Sequence, residues 1–168
     1  MSYRSLISIF VLPVTMTVVV PFLILSASHP REVGQYRTIP LLAGAGVIVP
    51  GLVLVSWTIW LFGKIGRGTP APWDPPLHLV VNGPYRYVRN PMISGIVFIL
   101  AGETLIFMSA GLLIWVAAFF TINAVYIPFC EEPALERRFG DEYSEYRRNV
   151  PRWIPRCKAW HRGGNHTQ

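Results

Sequence analysis

Leu79-Val-Val-Asn-Gly-Pro-Tyr-Arg-Tyr-Val-Arg-Asn-Pro-Met-Ile-Ser-Gly95 is a polar, glycine- and proline-marked stretch set between long apolar runs. It carries Arg86 and Arg89, and it leads into Pro91, whose fixed φ and missing N–H suit the first turn of a helix. A second polar cluster, Glu131-Glu-Pro133, closes the next apolar run. What lies around these two segments decides the fold.

Outward from Pro91, the chain is apolar to about Met108, turns at Ser109-Ala-Gly111, and is apolar again from Leu112 to about Phe129. Two such runs joined by a short polar turn read as a helical hairpin of membrane spans. On the N-terminal side, Ile39 to Phe62 forms another span, with Pro50 as a kink and Gly44, Gly46 and Gly51 as points where another helix can approach closely. Trp57 and Trp60 sit near its end, where amphipathic rings favour the interface. Leu6 to Ala27, at about 22 residues, is too long for a signal-peptide core and reads as a retained membrane helix.

Composition agrees. The chain has 168 residues, 52% of them hydrophobic and 14% charged, with a mean hydropathy of +0.39. An ordinary soluble domain is about a quarter charged. The net charge of +6 lies beside apolar runs, so membrane topology and anionic headgroups explain it better than nucleic acid. Cys130 and Cys157 are too few for a disulfide framework, and the four histidines have no metal-ligand spacing. The expectation is an all-α integral membrane protein with about four transmembrane helices and an amphipathic C-terminal helix on the cytoplasmic side. It divides into two N-terminal spans (1–62), a loop (63–90), a hairpin (91–130) and tail helices (131–156).

The tail repeats Leu135, Phe139, Tyr143, Tyr146 and Val150 at helical spacing, with arginines between. Gly140 breaks it into two helices, with Asp141 expected to cap the second. In the loop, Gly66 to Pro76 is too rich in proline and glycine for a regular helix. Leu77 to Val81 fits either a buried lid strand or a surface loop. With four spans, Arg4, Lys64, Arg67, Arg86, Arg89 and the tail share one side, and Arg31 and Arg37 take the other. The positive-inside rule makes the crowded side, with both termini, cytoplasmic.

Glu103 is the acidic residue inside an apolar span, which marks either a polar cavity or a helix–helix hydrogen bond by a neutral carboxyl. Asn123 and Tyr126 are one turn apart on one face of the last span. They fit either the wall of a substrate pocket beside Glu103 or interhelical hydrogen bonding. Taken alone, Glu131 and Glu132 suit the positive end of the tail helix, and Arg86 and Arg89 suit positive-inside anchors.

Gly83-Pro-Tyr-Arg-Tyr-Val-Arg-Asn-Pro-Met-Ile-Ser-Gly95 resembles the G-x-Y-x-x-x-R-H-P-x-Y-x-G signature of the isoprenylcysteine carboxyl methyltransferase family, which groups with the phospholipid methyltransferases. Glu131-Glu-Pro-Ala-Leu-Glu-Arg-Arg-Phe-Gly140, with Tyr143, Tyr146 and Val150-Pro-Arg-Trp-Ile-Pro155, resembles its C-terminal signature. The resemblance implies a membrane enzyme dependent on S-adenosyl-L-methionine. It implies a cofactor shell of Leu77, His78, Leu79, Val80, Tyr85, Asn90, Pro91, Met92, Ile93 and Glu131. Glu103, Asn123 and Tyr126 then become candidates for the acceptor side, and Glu103 a candidate proton acceptor for an amine. The acceptor would be a lipophilic carboxylate, thiol or amine, reached from a prokaryotic inner membrane. Asn90 stands where the family has histidine, Ile93 where it has tyrosine, and residues 122–130 lack the arginine that eukaryotic members carry late in the last span. Two rival readings remain: a reductase of the sterol reductase type using NADPH, and a non-catalytic membrane scaffold. The sequence does not specify an oligomeric state.

Overall fold

The computed structural model describes residues 13–27, 38–66 and 78–161. Among them every regular element is helical: α1 (Val20–Ala27, entered through a π-helical turn, Thr15–Val19), α2 (Thr38–Leu61), α3 (Pro91–Phe107), α4 (Ala110–Tyr126), α5 (Glu132–Phe139) and α6 (Asp141–Asn149). Further π-helical turns continue α2 (Phe62–Gly66) and join α4 to α5 (Ile127–Glu131). The second span therefore runs past the expected loop start at Gly63. The N-terminal half of the expected first span, and residues 67–77 with Leu77, lie outside the described residues.

The bundle is built on α3, whose Gly95, Ile96, Ile99, Leu100 and Gly102 are all buried. It packs antiparallel along α2 through two glycine pairs. A methyl group on Gly102 would fall 2.6 Å from the Gly44 carbonyl oxygen, and one on Gly51 would fall 2.8 Å from that of Gly95. Each helix spaces its two glycines seven residues apart, which returns both to one face. In a bilayer, helices gain little from hiding apolar groups from lipid, so close backbone approach is what holds them. Gly46 faces open space and takes no part. The same register carried onward sets Trp57 and Leu61 against Gly83 at the start of the polar turn.

α4 returns after a tight turn in which Met108 adopts left-handed backbone (φ 48°) and the Ser109 hydroxyl accepts the Leu112 N–H. Phe119 of α4 joins Val55, Ile96, Ile99 and Leu100 in the core. α1 is tied to α4 by one bond, the Trp115 indole N–H donating to the Met16 carbonyl at 3.2 Å. Its origin is local. In the π-helical turn Val20 N–H bonds Thr15 five residues back, so Met16 would pair with residue 21. That residue is Pro21, which has no N–H, and the freed carbonyl takes the indole instead.

Phe22, Ile39, Leu42, Val53, Leu113, Ile114, Ile122 and Phe129 all point outward and are exposed. Two continuous helices, Thr38–Ile65 and Ala110–Phe139, are long and apolar enough to cross a membrane, and Thr15–Ala27 and Pro91–Phe107 are shorter apolar helices. An apolar surface of this extent is what a lipid-facing bundle requires. Lys64 lies over the Trp60 ring at 4.7 Å, a cation–aromatic pair at the end of α2.

Candidate functional site

The polar stretch folds as an extended segment, a turn and a helix start. Leu79, Val80 and Val81 alternate. Val80 packs with Leu61 and Tyr85, while Leu79 and Val81 pack on the tail cluster of Tyr143, Tyr146 and Val150. The segment thus has the two-sided burial of a strand but no strand partner, and it is wedged between bundle and tail. Gly83, at φ +56°, starts a 3₁₀ turn to Arg86 with Pro84 in its second position. A side chain on Gly83 would be both strained and pressed 3.1 Å from the Trp57 ring.

Tyr85 is 8% exposed and sits edge-on to Phe62, with ring centroids 5.7 Å apart. Its carbonyl accepts the Tyr146 hydroxyl at 2.7 Å. Burial, then the charges of Tyr146 and Glu131, raises the Tyr85 phenol well above its ordinary pKa. The Glu131 charge thus acts on the Tyr85 phenol although the two residues are far apart in the chain. Tyr143 is pushed up to about 12, first by burial and then by Glu132, and burial raises Tyr146 as well. All three phenols stay neutral at physiological pH.

The tail closes over this turn. After α6 the chain runs without regular structure from Val150 to His161, pairing with the 85–90 segment. Arg89 N–H donates to Pro151 O at 2.9 Å, Arg156 N–H to Tyr87 O at 3.0 Å, and Trp160 N–H to Arg86 O at 3.0 Å. The Arg86 Nε returns a bond to Trp160 O at 2.8 Å. Trp153 packs on Phe120 of α4 with centroids 5.1 Å apart, which fixes the strap to the bundle.

At the centre is Glu132, 2% exposed. Its Oε1 accepts from Arg89 Nη1 and from Arg152 Nε, each at 2.7 Å, and its Oε2 accepts from Arg152 Nη2 at 2.9 Å. The bond to Glu132 raises the Arg152 pKa. One buried carboxylate thus joins the first motif, the start of α5 and the strap. Glu131, one residue earlier, has an exposed outer side, yet protein atoms crowd its carboxyl. That crowding, with the Glu132 charge beside it, raises its pKa.

Among the other cofactor candidates, Pro91 is buried at the start of α3, Met92 is half-buried, and Ile93 packs on the bundle core. Asn90 precedes α3 without capping it. Its amide lies 3.5 Å from Arg152 O, and its carbonyl accepts the Ser94 hydroxyl. His78 is exposed.

The expected grouping of Glu103 with Asn123 and Tyr126 does not form. Pairing α3 with α4 about the Met108 turn sets Glu103 level with residue 114, so Asn123 lies roughly 14 Å away along the axis at 1.5 Å per residue. Glu103 is near the far end of α3, with one enclosed carboxylate oxygen that has no hydrogen-bond partner among the described residues. The Asn123 amide bonds Phe119 O in its own helix at 2.8 Å, not a neighbouring helix, and Tyr126 is 42% exposed. Gly140 does break the tail, at φ +53°, but Gly140 itself holds the N-cap position and the expected Asp141 cap bond is absent.

A shallow recess of about 380 Å³ opens between Leu79, Val81, Arg86, Trp160 and His161, on the outer side of the strap. Neither Tyr85 nor Glu131 lines it. Another polar atom lacks a partner among the described residues: Arg89 Nε, buried beside the carboxylate that occupies Nη1.

The sequence reading missed the role of Glu132, Arg89 and Arg152. All three lie within the quoted motifs, but charge and spacing alone cannot say which acid meets which base.

The sequence model of the phospholipid methyltransferase family matches residues 39–142. That span takes in α2, the polar turn, the hairpin, α5 and the start of α6. No curated protein and no solved structure matches the chain.

Proposed function

The chain belongs to the phospholipid methyltransferase family, and from that premise we propose that it transfers a methyl group from S-adenosyl-L-methionine to a lipophilic acceptor at the cytoplasmic membrane face, first among them the amine headgroup of a phospholipid. In this reading α1 to α4 are four spans, with the polar turn and the tail on the cytoplasmic side.

The observation that carries the reading is the shared layer of Tyr85, Arg89 and Glu131 at one end of the bundle, roofed by the 150–160 strap. Its unused polar groups suit an amino-acid zwitterion. The exposed Glu131 carboxylate would partner an ammonium, and the orphaned Arg89 Nε–H would partner a carboxylate. The backbone of Leu79 to Val81 and the Tyr85 ring offer the edge and face an adenine needs. When bound, the cofactor supplies the activated sulfonium methyl group. The protein supplies position and a site shielded from water.

Asn123 and Tyr126, at the same end of α4, are placed to line the acceptor's approach from the bilayer. Glu103 is about 20 Å along α3 from Asn90 by helical rise, so it does not serve as the acceptor's proton partner.

Calorimetry of the purified protein in nanodiscs tests this. S-adenosylhomocysteine is expected to bind and NADPH not to, with Tyr85→Ala and Glu131→Ala each weakening binding about tenfold. A labelled-methyl screen over phospholipid amines, prenylated cysteine and apolar thiols then identifies the acceptor. Binding of NADPH alone, or of neither ligand, overturns the reading.

A further inference from the structure

The two motif glutamates are adjacent in sequence and opposite in surroundings. Glu131 is exposed. Glu132 is enclosed, and its oxygens are taken by Arg89 and Arg152, with Arg147 Nε a further 3.5 Å from Oε2. A carboxylate has about four acceptor sites, so Glu132 has little capacity left for a ligand.

What Glu132 holds together would otherwise separate. Arg89 belongs to the turn and Arg152 to the strap, and their guanidinium groups share the single oxygen Oε1. Without the carboxylate, two like charges would face each other at short range in a poorly solvated place. The strap has no regular structure of its own, and its other attachments include the three backbone bonds, the Arg86 bond, the Asn90 amide on Arg152 O, and the contacts of Trp160 on Tyr146 and Trp153 on Phe120.

We propose that Glu132 is a positioning residue: it converts the Arg89–Arg152 repulsion into a clamp that holds the 150–160 strap on the 85–90 turn, and so fixes how Tyr85 and Glu131 are presented to a ligand. The proposal takes from the methyl-transfer reading only the identity of that ligand. Glu132 therefore acts on cofactor affinity through the strap and not by contact, whereas Glu131 acts by contact.

The test uses the full chain in nanodiscs with two readouts: S-adenosylhomocysteine affinity, and the rate of tryptic cleavage after Arg156 and Lys158. Glu132→Gln keeps the shape and removes the charge. It is expected to weaken affinity about tenfold and to speed cleavage about tenfold. Glu131→Gln is expected to weaken affinity with cleavage unchanged. The deciding variant is Glu132→Gln/Arg152→Gln, which removes the repulsion as well. It is expected to recover most of the affinity and most of the protection, a non-additive result that a direct ligand would not give.

If Glu132→Gln loses affinity while the strap stays protected, or if the double variant is no better than the single, the proposal is overturned. Should Glu132→Gln fail to fold, Glu132→Asp, whose shorter side chain draws the carboxylate back from the two guanidinium groups, is expected to lose affinity and protection together by a smaller factor, and a loss of affinity with the strap still protected overturns the proposal. A wild-type chain that binds no S-adenosylhomocysteine overturns the methyl-transfer reading instead, and the cleavage comparison still decides the clamp.

Discussion

The α2–α3 pair and the turn–strap layer solve the same problem, holding two distant segments together, with opposite chemistry. The helix pair does it with the smallest residues and no side-chain hydrogen bond between the two helices among the described bonds: Gly44 against Gly102 and Gly51 against Gly95. The layer above does it with arginine, glutamate and tyrosine around one buried carboxylate. The difference follows from the solvent each meets. Lipid offers no drive to bury apolar groups, so only van der Waals fit distinguishes the right neighbour. At the membrane face water is near, ions can be partly solvated, and directional bonds specify which irregular backbone segment lies on which.

Four experiments sharpen or break this contrast, taken from the largest expected effect downward. Glu132→Leu leaves Arg89 and Arg152 buried together without their counter-ion. We expect a loss of about 3 kcal/mol, at the lower end for broken buried pairs because Arg152 is 28% exposed. Thermal unfolding in detergent, followed by size-exclusion recovery, measures it. If the loss is negligible, charge does not hold the layer.

Next is Gly102→Val. The added carbons meet the Gly44 carbonyl, and we expect a cost of about 2 kcal/mol from overpacking in the same assay. Gly46→Ala is its control: it meets open space and should be neutral or slightly stabilising. Equal effects at Gly46 and Gly102 would break the close-packing half of the comparison.

Tyr146→Phe removes the bond to the Tyr85 carbonyl, with an expected loss of about 1 kcal/mol and a modest fall in cofactor affinity. The smallest effect is expected at Arg147, 45% exposed and at 3.1 Å from Glu136. Arg147→Ala should cost under about 0.5 kcal/mol and lose even that at high salt. A larger loss would mean that the network extends beyond the Arg89–Glu132–Arg152 triad.

Much of the architecture could be read before any coordinates. The apolar runs bounded α2, α3 and α4 to within a few residues, because a bilayer demands long uninterrupted segments. Pro91 opened α3 and Gly140 broke the tail as their backbone restrictions require. What periodicity could not supply was depth and facing. Glu103, Asn123 and Tyr126 read as companions because all three are polar in apolar helices. The antiparallel pairing about Met108 separates them by several turns. Leu79 to Val81 read ambiguously because a two-sided extended segment without a strand partner fits neither category.

The sequence by itself determined a helical chain, with helices long and apolar enough to cross a membrane and two polar motifs flanking a hairpin, since segment length and backbone restrictions act locally. Only the tertiary structure decided which of two adjacent glutamates is spent on arginines and which is left exposed. The side-chain directions of Glu131 and Glu132 differ by a helical rotation, and what each meets depends on segments twenty to forty residues away. Chain order does not encode those meetings; packing does.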